Sequence, residues 1–252
     1  EDLLKAGRPM IFSGSQNPSD MPGLTDELAG RMSAGLVCSV QAMNVTVRET
    51  LLRRLAEQRC ALTWPDAMVS APADRRIRGA TRIVGEGDRV AVPGLAVQFD
   101  VIAVPGHTST HIAYLGDGML FCGDTLFAAG CGRVFDGTFE QLAASLRRIA
   151  ALPPETLCYC AHEYTLANLG FAAWVEPNSA ALAERTAAAR AWREAGRPTV
   201  PSRLSLELAT NPFLRTAEPA VVAAAETFAG AALTDATAVF TALRRWKDAR
   251  YD

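Results

Sequence analysis

A run of short strand-like segments between residues 77 and 163 sets the fold class of this chain. Each segment is apolar or alternates apolar with polar residues, and each is bounded by Gly, Pro or Asp, which is typical of strands in a sheet. Gly116-Asp117-Gly118 is predicted to form a hairpin turn between two of them. The predicted strands are Thr81–Val84, Val97–Val104, Ile112–Leu115, Met119–Cys122 and Thr156–Cys160.

Helical patterns lie within and after the strand-rich region. Thr138 and Gln141 form a capping box, which predicts one helix inside it. Beyond residue 164 the sequence is rich in Ala, and Asn178 is predicted to cap a helix that ends at Gly196. The other predicted helices are Leu24–Met32, Val47–Gln58, Pro219–Phe228 and Thr234–Trp246. This order predicts an α/β chain with a strand-rich domain at 1–163, atypical over 1–70, and a helical domain at 164–252.

Composition narrows the class of partner. The chain has 25 basic and 27 acidic residues, so nothing in its charge favours nucleic acid or a membrane surface as partner. No apolar run is long enough to span a membrane and no signal-peptide pattern opens the chain. The six Cys do not have zinc-ribbon spacing, and reduced thiols are the simplest interpretation. We expect a cytoplasmic monomer.

Three residues that follow predicted strands have the chemistry of metal ligands. His107, Asp124 and His162 each come directly after an apolar strand, and the chain contains only three His. Imidazole and carboxylate are ligands that suit Zn²⁺, Fe²⁺ or Mn²⁺. The alternative interpretation is that each is an ordinary buried or turn residue, although three such strand ends in one chain weigh against it.

Five motifs follow one another along the chain. They are Pro105-Gly-His-Thr108, Cys122-Gly-Asp-Thr-Leu-Phe127, Gly130-Cys-Gly-Arg133, Ala161-His-Glu-Tyr-Thr165 and Asn211-Pro-Phe213. With these motifs the sequence resembles glyoxalase II, the hydroxyacylglutathione hydrolases of the metallo-β-lactamase superfamily, over about residues 71–252. The resemblance implies a metallo-β-lactamase-like αββα sandwich followed by a small helical glutathione-binding domain. It also implies hydrolysis of S-2-hydroxyacylglutathione, such as S-lactoylglutathione, to a 2-hydroxy acid and glutathione.

The same resemblance implies roles for single residues. His107 and His162 match ligands of two different metal ions, and Asp124 matches the catalytic carboxylate that bridges them. His111 matches a position that is not a ligand, so we expect a structural role for it. Phe135 stands where the family often has a second tyrosine, which removes one hydroxyl contact. The residues that match glutathione-binding positions are Arg133, Tyr164, Arg244 and Lys247.

One family signature is absent from the sequence. The motif His-x-His-x-Asp-His would supply four further metal ligands, yet no His precedes His107. The corresponding region contains Glu49 as its one plausible replacement, because the neighbouring arginines stay protonated. We therefore expect zinc, iron or manganese to bind weakly or in fewer than two equivalents.

Several accounts of function remain open at this stage. The chain is interpreted as a glutathione thioester hydrolase with impaired activity, or as a glutathione-conjugate binding module without catalysis. A single ion held by His107, Asp124 and His162 is conceivable, as in sites with two His and one carboxylate. Another hydrolase of the same superfamily is a weaker alternative, and a damaged gene would also explain residues 1–70.

Overall fold

A computed structural model describes residues 68–92 and 96–251, which belong to a compact unit spanning Cys60–Asp252. The predicted helices Leu24–Met32 and Val47–Gln58, and Glu49, lie outside the described residues. Among residues 68–92 and 96–251, none of the helices combines the length and apolar character needed to cross a membrane.

The centre of the described region is a mixed sheet. The strands of this region are β1 Ser70–Ala71, β2 Arg82–Ile83, β3 Arg89–Ala91, β4 Gln98–Ala103, β5 Ile112–Gly116, β6 Met119–Gly123, β7 Leu126–Phe127, β8 Gly130–Cys131, β9 Leu157–Cys160 and β10 Ser202–Arg203. Six of them form the sheet in the order β10-β9-β6-β5-β4-β3, in which only the β6–β9 pair is parallel. Two further pairs, β1–β2 and β7–β8, stand apart from it.

Every predicted strand is confirmed to within a few residues, and so is the hairpin turn. Asp117 and Gly118 both have positive φ, 50° and 69°, and Gly116 pairs with Met119 across the turn. Two successive positive φ angles characterise the type I′ turn, whose twist matches that of the flanking strands. The sequence did not predict β1, β3, β7, β8 or β10, which are only two or three residues long.

Among the described residues, the helices lie mainly in the last third of the chain. They are α1 Phe139–Ala150, α2 Thr165–Val175, α3 Ala180–Glu194, α4 Leu204–Thr210, α5 Pro219–Ala229 and α6 Ala236–Arg250, with a 3-10 turn at Pro212–Leu214. Asn178 was predicted to cap α3, but this prediction is wrong: the hydroxyl of Ser179 accepts from the amide of Leu182. The helix predicted at Thr234–Trp246 is observed as α6, and it begins after Asp235, whose carboxylate accepts from two backbone amides.

The core lies between the sheet and the helices. Leu142, Leu146 and Ile149 of α1 are at most 1% exposed and belong to the same apolar cluster as Leu120 of β6 and Phe240 of α6. Their spacing of three and four residues gives α1 one apolar face. Burial of each such side chain stabilises the fold by about 1.5–3 kcal/mol. Because residues of α1, β6 and α6 belong to one cluster, the helices and the sheet share one core.

The capping box of α1 gives a test of this local structure. The Thr138 hydroxyl accepts from the Gln141 amide at 3.2 Å, and the Gln141 side chain accepts from the Thr138 amide at 2.9 Å. We expect Thr138→Ala to lower the free energy of unfolding by about 1 kcal/mol in denaturant titration. Thr227→Ala, at an exposed position in the last turn of α5, is the control and should change it by less than about 0.5 kcal/mol. Equal effects of the two changes would contradict a capping role.

Candidate metal site and thiol-binding surface

A glycine places His107 beside the sheet. The chain leaves β4 at Ala103 and passes through Gly106, whose φ of +139° lies outside the range that other residues readily adopt. A Cβ on Gly106 would also lie 2.4 Å from the Cα of Leu142 in α1. Glycine is therefore required here, because the backbone passes directly against the helix on its way to His107.

Asp124 follows β6 through a second tight point. Gly123 has a φ of +52°, and a Cβ on it would lie 2.6 Å from Cε1 of His111. The Nδ1 of His111 lies 3.0 Å from the carbonyl oxygen of Ile112, so Nδ1 carries the proton and Nε2 accepts from the Asp124 amide at 3.3 Å. These contacts suit the structural role expected for His111, which holds the backbone of Asp124.

The three predicted metal ligands come together around one carboxylate. His107 Nε2 lies 3.3 Å from Asp124 Oδ2, and His162 Nε2 lies 3.3 Å from Asp124 Oδ1. His107 and Asp124 are buried, whereas the His162 side chain is 39% exposed. Each imidazole thus faces a different oxygen, which is the arrangement of a bridging carboxylate and not of three ligands converging on one point.

A hydrogen bond to a backbone carbonyl fixes the orientation of the His107 ring. Its Nδ1 donates to the carbonyl oxygen of Arg133 at 2.8 Å, so Nε2 is the ring nitrogen that faces the Asp124 carboxylate. Within the described residues, this buried Nε2 has no hydrogen-bond partner. A nitrogen lone pair and a carboxylate oxygen attract each other only through a shared cation, either a proton or a metal ion. Metal-bound histidines commonly donate their second nitrogen to a carbonyl in this way.

The environment keeps Asp124 ionised. Burial raises the pKa of the Asp124 carboxyl, but the contact with His107 and the nearby imidazoles of His162 and His111 lower it by more. The net result is a pKa below the usual value for Asp. The carboxylate is therefore available to bind a cation at neutral pH.

The spacing and the chemistry of these residues fit a metal, but only in part. Two ligand atoms that each lie about 2.0–2.2 Å from one ion are about 3–3.5 Å apart, which the 3.3 Å separations satisfy. However, no group of three His, Cys, Asp or Glu that could hold one ion occurs in the part of the chain that the structure describes. If the predicted ligands bind metal, the described residues would supply two ligands to each of two half-sites.

The cysteines near the sheet are poor alternative ligands. Cys122, Cys131 and Cys158 are buried free thiols, and Cys160 is partly buried. Burial raises the pKa of Cys158 to about 12, and it also raises the pKa values of the other three. Because a thiol must ionise to bind a metal, the imidazoles and the carboxylate are the favoured ligands.

An aromatic surface adjoins His162. The rings of His162 and Tyr164 are stacked with centroids 4.9 Å apart, and Phe127 meets the Tyr164 ring edge-on at 5.4 Å. Tyr164 is 44% exposed. Phe135, 45% exposed, lies against the His107 ring with centroids 4.7 Å apart. Phe135, which stands where the family often has a second tyrosine, therefore packs against the ring of His107.

Two of the three predicted glutathione-binding cations, Arg133 and Arg244, meet at the carboxylate of Asp248, which the sequence did not indicate. Asp248 accepts from Nη2 of Arg244 at 3.0 Å and lies 3.7 Å from Nε of Arg133. Arg133 is 43% exposed at its side chain, whereas Arg244 is fully buried and donates through Nη1 to the carbonyl of Cys131 at 3.1 Å. The structure thus brings Arg133 and Arg244 to one place.

Lys247 lies one turn along the same helix. It is buried, and its Nζ donates to Asn168 Oδ1 at 2.8 Å. Arg244 and Lys247 share one face of α6, as their spacing predicts, but the face is turned into the protein and not toward solvent. Burial of both side chains excludes a solvated helix face for these two cations.

Comparison with known proteins shows which family models and which relatives this chain matches. The model described as "Metallo-beta-lactamase superfamily" matches residues 52–162, and that described as "Hydroxyacylglutathione hydrolase C-terminus" matches residues 163–250. The chain is 54% identical over 185 residues to a hydroxyacylglutathione hydrolase of Xanthomonas axonopodis pv. citri, covering 73% of this chain and 72% of the relative. It is 55% identical over 180 residues to one of Alkalilimnicola ehrlichii, covering 71% and 70%.

Solved structures add a further similarity. The crystal structure of ETHE1 from Myxococcus xanthus is 36% identical, with a TM-score of 0.39, over 42% of this chain and 48% of that chain. The two family models confirm the predicted fold class, a metallo-β-lactamase fold with a helical C-terminal region. The superfamily match also makes a metal-binding protein the expectation, without specifying the metal.

Proposed function

The chain belongs to the hydroxyacylglutathione hydrolase family, a family of thioester hydrolases, and on this premise we propose that it binds S-2-hydroxyacylglutathione thioesters and hydrolyses them. The products are a 2-hydroxy acid and glutathione, as for S-lactoylglutathione. The observation that carries the proposal is the Asp124 carboxylate, with each oxygen 3.3 Å from a different imidazole. In metal-assisted hydrolysis, a carboxylate shared by two histidines would help to hold the metal, which is a role that ordinary buried polar residues do not have.

His107, Asp124 and His162 are the residues that would hold zinc, iron or manganese. A bound ion lowers the pKa of a water molecule and polarises the thioester carbonyl. The Arg133 carbonyl holds His107 in the tautomer that presents Nε2, and His111 holds the backbone of Asp124. Since each half-site has two described ligands and the family motif is absent from the sequence, we propose fewer than two equivalents of metal, or weak binding.

The glutathione part of the substrate is assigned to the surface beside His162. Tyr164 is 44% exposed and the Arg133 side chain is 43% exposed, and a guanidinium suits the carboxylates of the anionic tripeptide. Arg244 and Lys247 are proposed to act at the same end. Because Arg133 lies 3.7 Å from Asp248 and is partly exposed, a substrate carboxylate would compete with Asp248 for its guanidinium.

Arg133 provides the cleanest test of the thiol-binding surface, since Arg244 is fully buried and its removal would also disturb packing. Loss of a charge-assisted hydrogen bond should weaken binding of a glutathione thioester analogue by roughly tenfold in Arg133→Ala, measured by calorimetry. Arg190→Ala, an exposed change on α3, should leave the affinity unchanged. Equal binding by both variants would remove Arg133 from the site.

Thioesterase activity and metal content, measured on the same purified sample, test the function itself. We expect slow hydrolysis of S-lactoylglutathione that rises with added zinc, and less than two equivalents of tightly held metal. Two tightly held ions with rapid turnover would contradict the proposed deficit of ligands. Absence of both metal and turnover would contradict the hydrolase proposal.

A second candidate is a binding module for glutathione conjugates without catalysis. It is favoured by the supply of two described ligands for each half-site. It predicts that a glutathione conjugate binds and that Arg133→Ala weakens it, with no hydrolysis even when zinc is saturating. Failure of every glutathione derivative to bind would exclude this module.

The finer organisation is also a proposal. We assign a metallo-β-lactamase-like domain to 1–163 and a helical glutathione-binding domain to 164–252, which is supported by two family models that meet between residues 162 and 163. We propose a cytoplasmic monomer, since glutathione and reduced thiols share that compartment. The near-neutral charge supports a small-molecule partner and neither nucleic acid nor a membrane.

A further inference from the structure

One short segment contains one of the three proposed metal ligands and contacts the other two. Residues 124–133, which contain β7 and β8, are called here the ligand hairpin. The hairpin begins with Asp124 itself and ends with Arg133, whose carbonyl accepts from His107. Between them, the Phe127 ring meets the His162 ring edge-on, with centroids 5.9 Å apart. A displacement of this hairpin would therefore disturb all three ligands together.

The backbone of the ligand hairpin is held by side chains and not by a larger sheet. Apart from the short β7–β8 pairing, five consecutive residues, 127–131, each have a backbone group bound by a side chain from the helical region. The contacts are Asn211 Nδ2 to the carbonyls of Phe127 (3.3 Å) and Gly130 (3.0 Å), Asn168 Nδ2 to that of Ala128 (3.0 Å), Glu207 Oε2 to the amide of Ala129 (2.8 Å) and Arg244 Nη1 to the carbonyl of Cys131 (3.1 Å).

Glu207 is the centre of this arrangement. It is fully buried, and its Oε1 accepts from Arg185 and Ser202 while its Oε2 accepts from the Ala129 amide and from Asn211. Both carboxylate oxygens thus face donors only. Ala129 has a φ of +58°, which is unusual for a residue with a Cβ and is held by the Glu207 contact and the neighbouring ones.

Asn168 links the hairpin to α6. Its amide nitrogen donates to Ala128 and its oxygen accepts from Lys247 at 2.8 Å. Gly130 must lack a side chain, since a Cβ there would lie 2.5 Å from Asn168 Cγ. The close approach of Gly130 and Asn168 leaves the hairpin little freedom to move against α2.

We propose that Glu207 and Asn168, with Asn211, are positioning residues that set the place of the ligand hairpin and hence the geometry of Asp124 and His107. The proposal rests on the proposed function, because it takes these two residues as metal ligands. It goes further in assigning part of the metal affinity to buried side chains of the helical region that touch neither metal nor substrate. Partners of ligands typically alter metal affinity 10–100-fold, that is by about one to two orders of magnitude, when removed.

Two nearly isosteric changes break the hairpin contacts. In Glu207→Gln one oxygen becomes an NH₂ group, which must then face donors. The remaining carbonyl is expected to stay with the charged Arg185, so the contact with Ala129 is lost. Asn168→Asp removes the donor to Ala128 but keeps an acceptor for Lys247, and it serves if Glu207→Gln fails to fold.

The matched control is Glu176→Gln. Glu176 is buried at the end of α2 and pairs with Arg215 through two hydrogen bonds of 3.0 and 2.9 Å, and this pair makes none of the five hairpin contacts. It therefore reports the loss of a buried carboxylate charge in the same region without a change at the hairpin.

Two readouts on folded protein decide the question. One is zinc affinity by competition with a chelator, and the other is the tautomer of His107, read from nitrogen–proton NMR correlations of the metal-free chain at mildly alkaline pH. Because the side chains of Glu207 and Asn168 act one contact further from the metal than a ligand's own partner, Glu207→Gln and Asn168→Asp should weaken zinc binding by up to about tenfold, the low end of the range for such partners. Both should reduce the share of the Nδ1–H tautomer, whereas Glu176→Gln should do neither.

Zinc affinity and tautomer in both variants equal to those of Glu176→Gln would overturn the positioning role. If the unaltered chain binds no zinc, the proposed function fails instead. The tautomer comparison then decides the positioning role alone: a shift confined to the two hairpin variants supports it, and no shift overturns it.

Discussion

Replacing Asp124 with Asn is expected to lower zinc affinity by at least about a hundredfold, which exceeds the effect typical of residues that only support a ligand. The change keeps the shape of the side chain but removes the negative charge that both imidazoles face at 3.3 Å. Because Asp124 is proposed to serve both half-sites, a single change is expected to weaken both. Any hydrolysis of S-lactoylglutathione should disappear with the metal.

Chelator competition on the folded variant measures this effect. Asp100→Asn is the control, since Asp100 lies on β4 with a side chain that is 54% exposed and pairs only at the surface with Arg89. It should bind zinc as the unaltered chain does. Retention of zinc affinity within a few-fold in Asp124→Asn would show that the carboxylate does not bridge the site.

Gly106→Ala is expected to cause the largest loss of stability among the predicted changes, about 2–5 kcal/mol from backbone strain and steric overlap together. Its φ of +139° is strained for alanine, and the new Cβ would lie 2.4 Å from the Cα of Leu142. The overlap is with backbone, which a rotamer change cannot relieve. Denaturant titration of the metal-free chain measures the loss.

Gly118→Ala is the matched control for this change. Gly118 also has a positive φ, +69°, but no heavy atom lies within 4 Å of the position of a new Cβ. It should therefore lose only the conformational term, about 1–2 kcal/mol. A Gly106→Ala variant that is no less stable than Gly118→Ala would mean that the backbone does not pass against α1 as described.

The strand ends explain why much of the site could be predicted. β6 and β9 are adjacent and parallel, so Asp124 and His162, which follow them, emerge at the same edge of the sheet. β5 separates β4 from β6 and is antiparallel to both, so β4 and β6 run in the same direction. His107, which follows β4 after a turn at Gly106, therefore lies at that same edge. Short apolar runs followed by Gly are visible in sequence, and adjacency then follows from pairing.

Helix caps show the limit of local reasoning. Asn178 and Ser179 are both good capping residues, and the sequence does not say at which of them the chain turns into the helix. In the structure Ser179 has extended backbone angles and accepts from Leu182, so it is the cap. The choice depends on where the preceding chain leaves α2, which is a tertiary property.

The hairpin contacts could not be predicted at all. They join residues that are 40 to 113 positions apart in the chain, so no local pattern identifies them. The one available sign was the spacing of Glu207 and Asn211, four residues apart, which places both side chains on the same side of a helical turn. The partners themselves became visible only once the helices were packed on the sheet.

Zinc K-edge X-ray absorption of the zinc-loaded chain tests the central claim most directly. The account predicts a first shell of nitrogen and oxygen at about 2.0–2.2 Å with the outer scattering of imidazole, and loss of the bound zinc in Asp124→Asn. A sulfur neighbour at about 2.3 Å would place the metal at a cysteine. That result would contradict a site built from His107, Asp124 and His162.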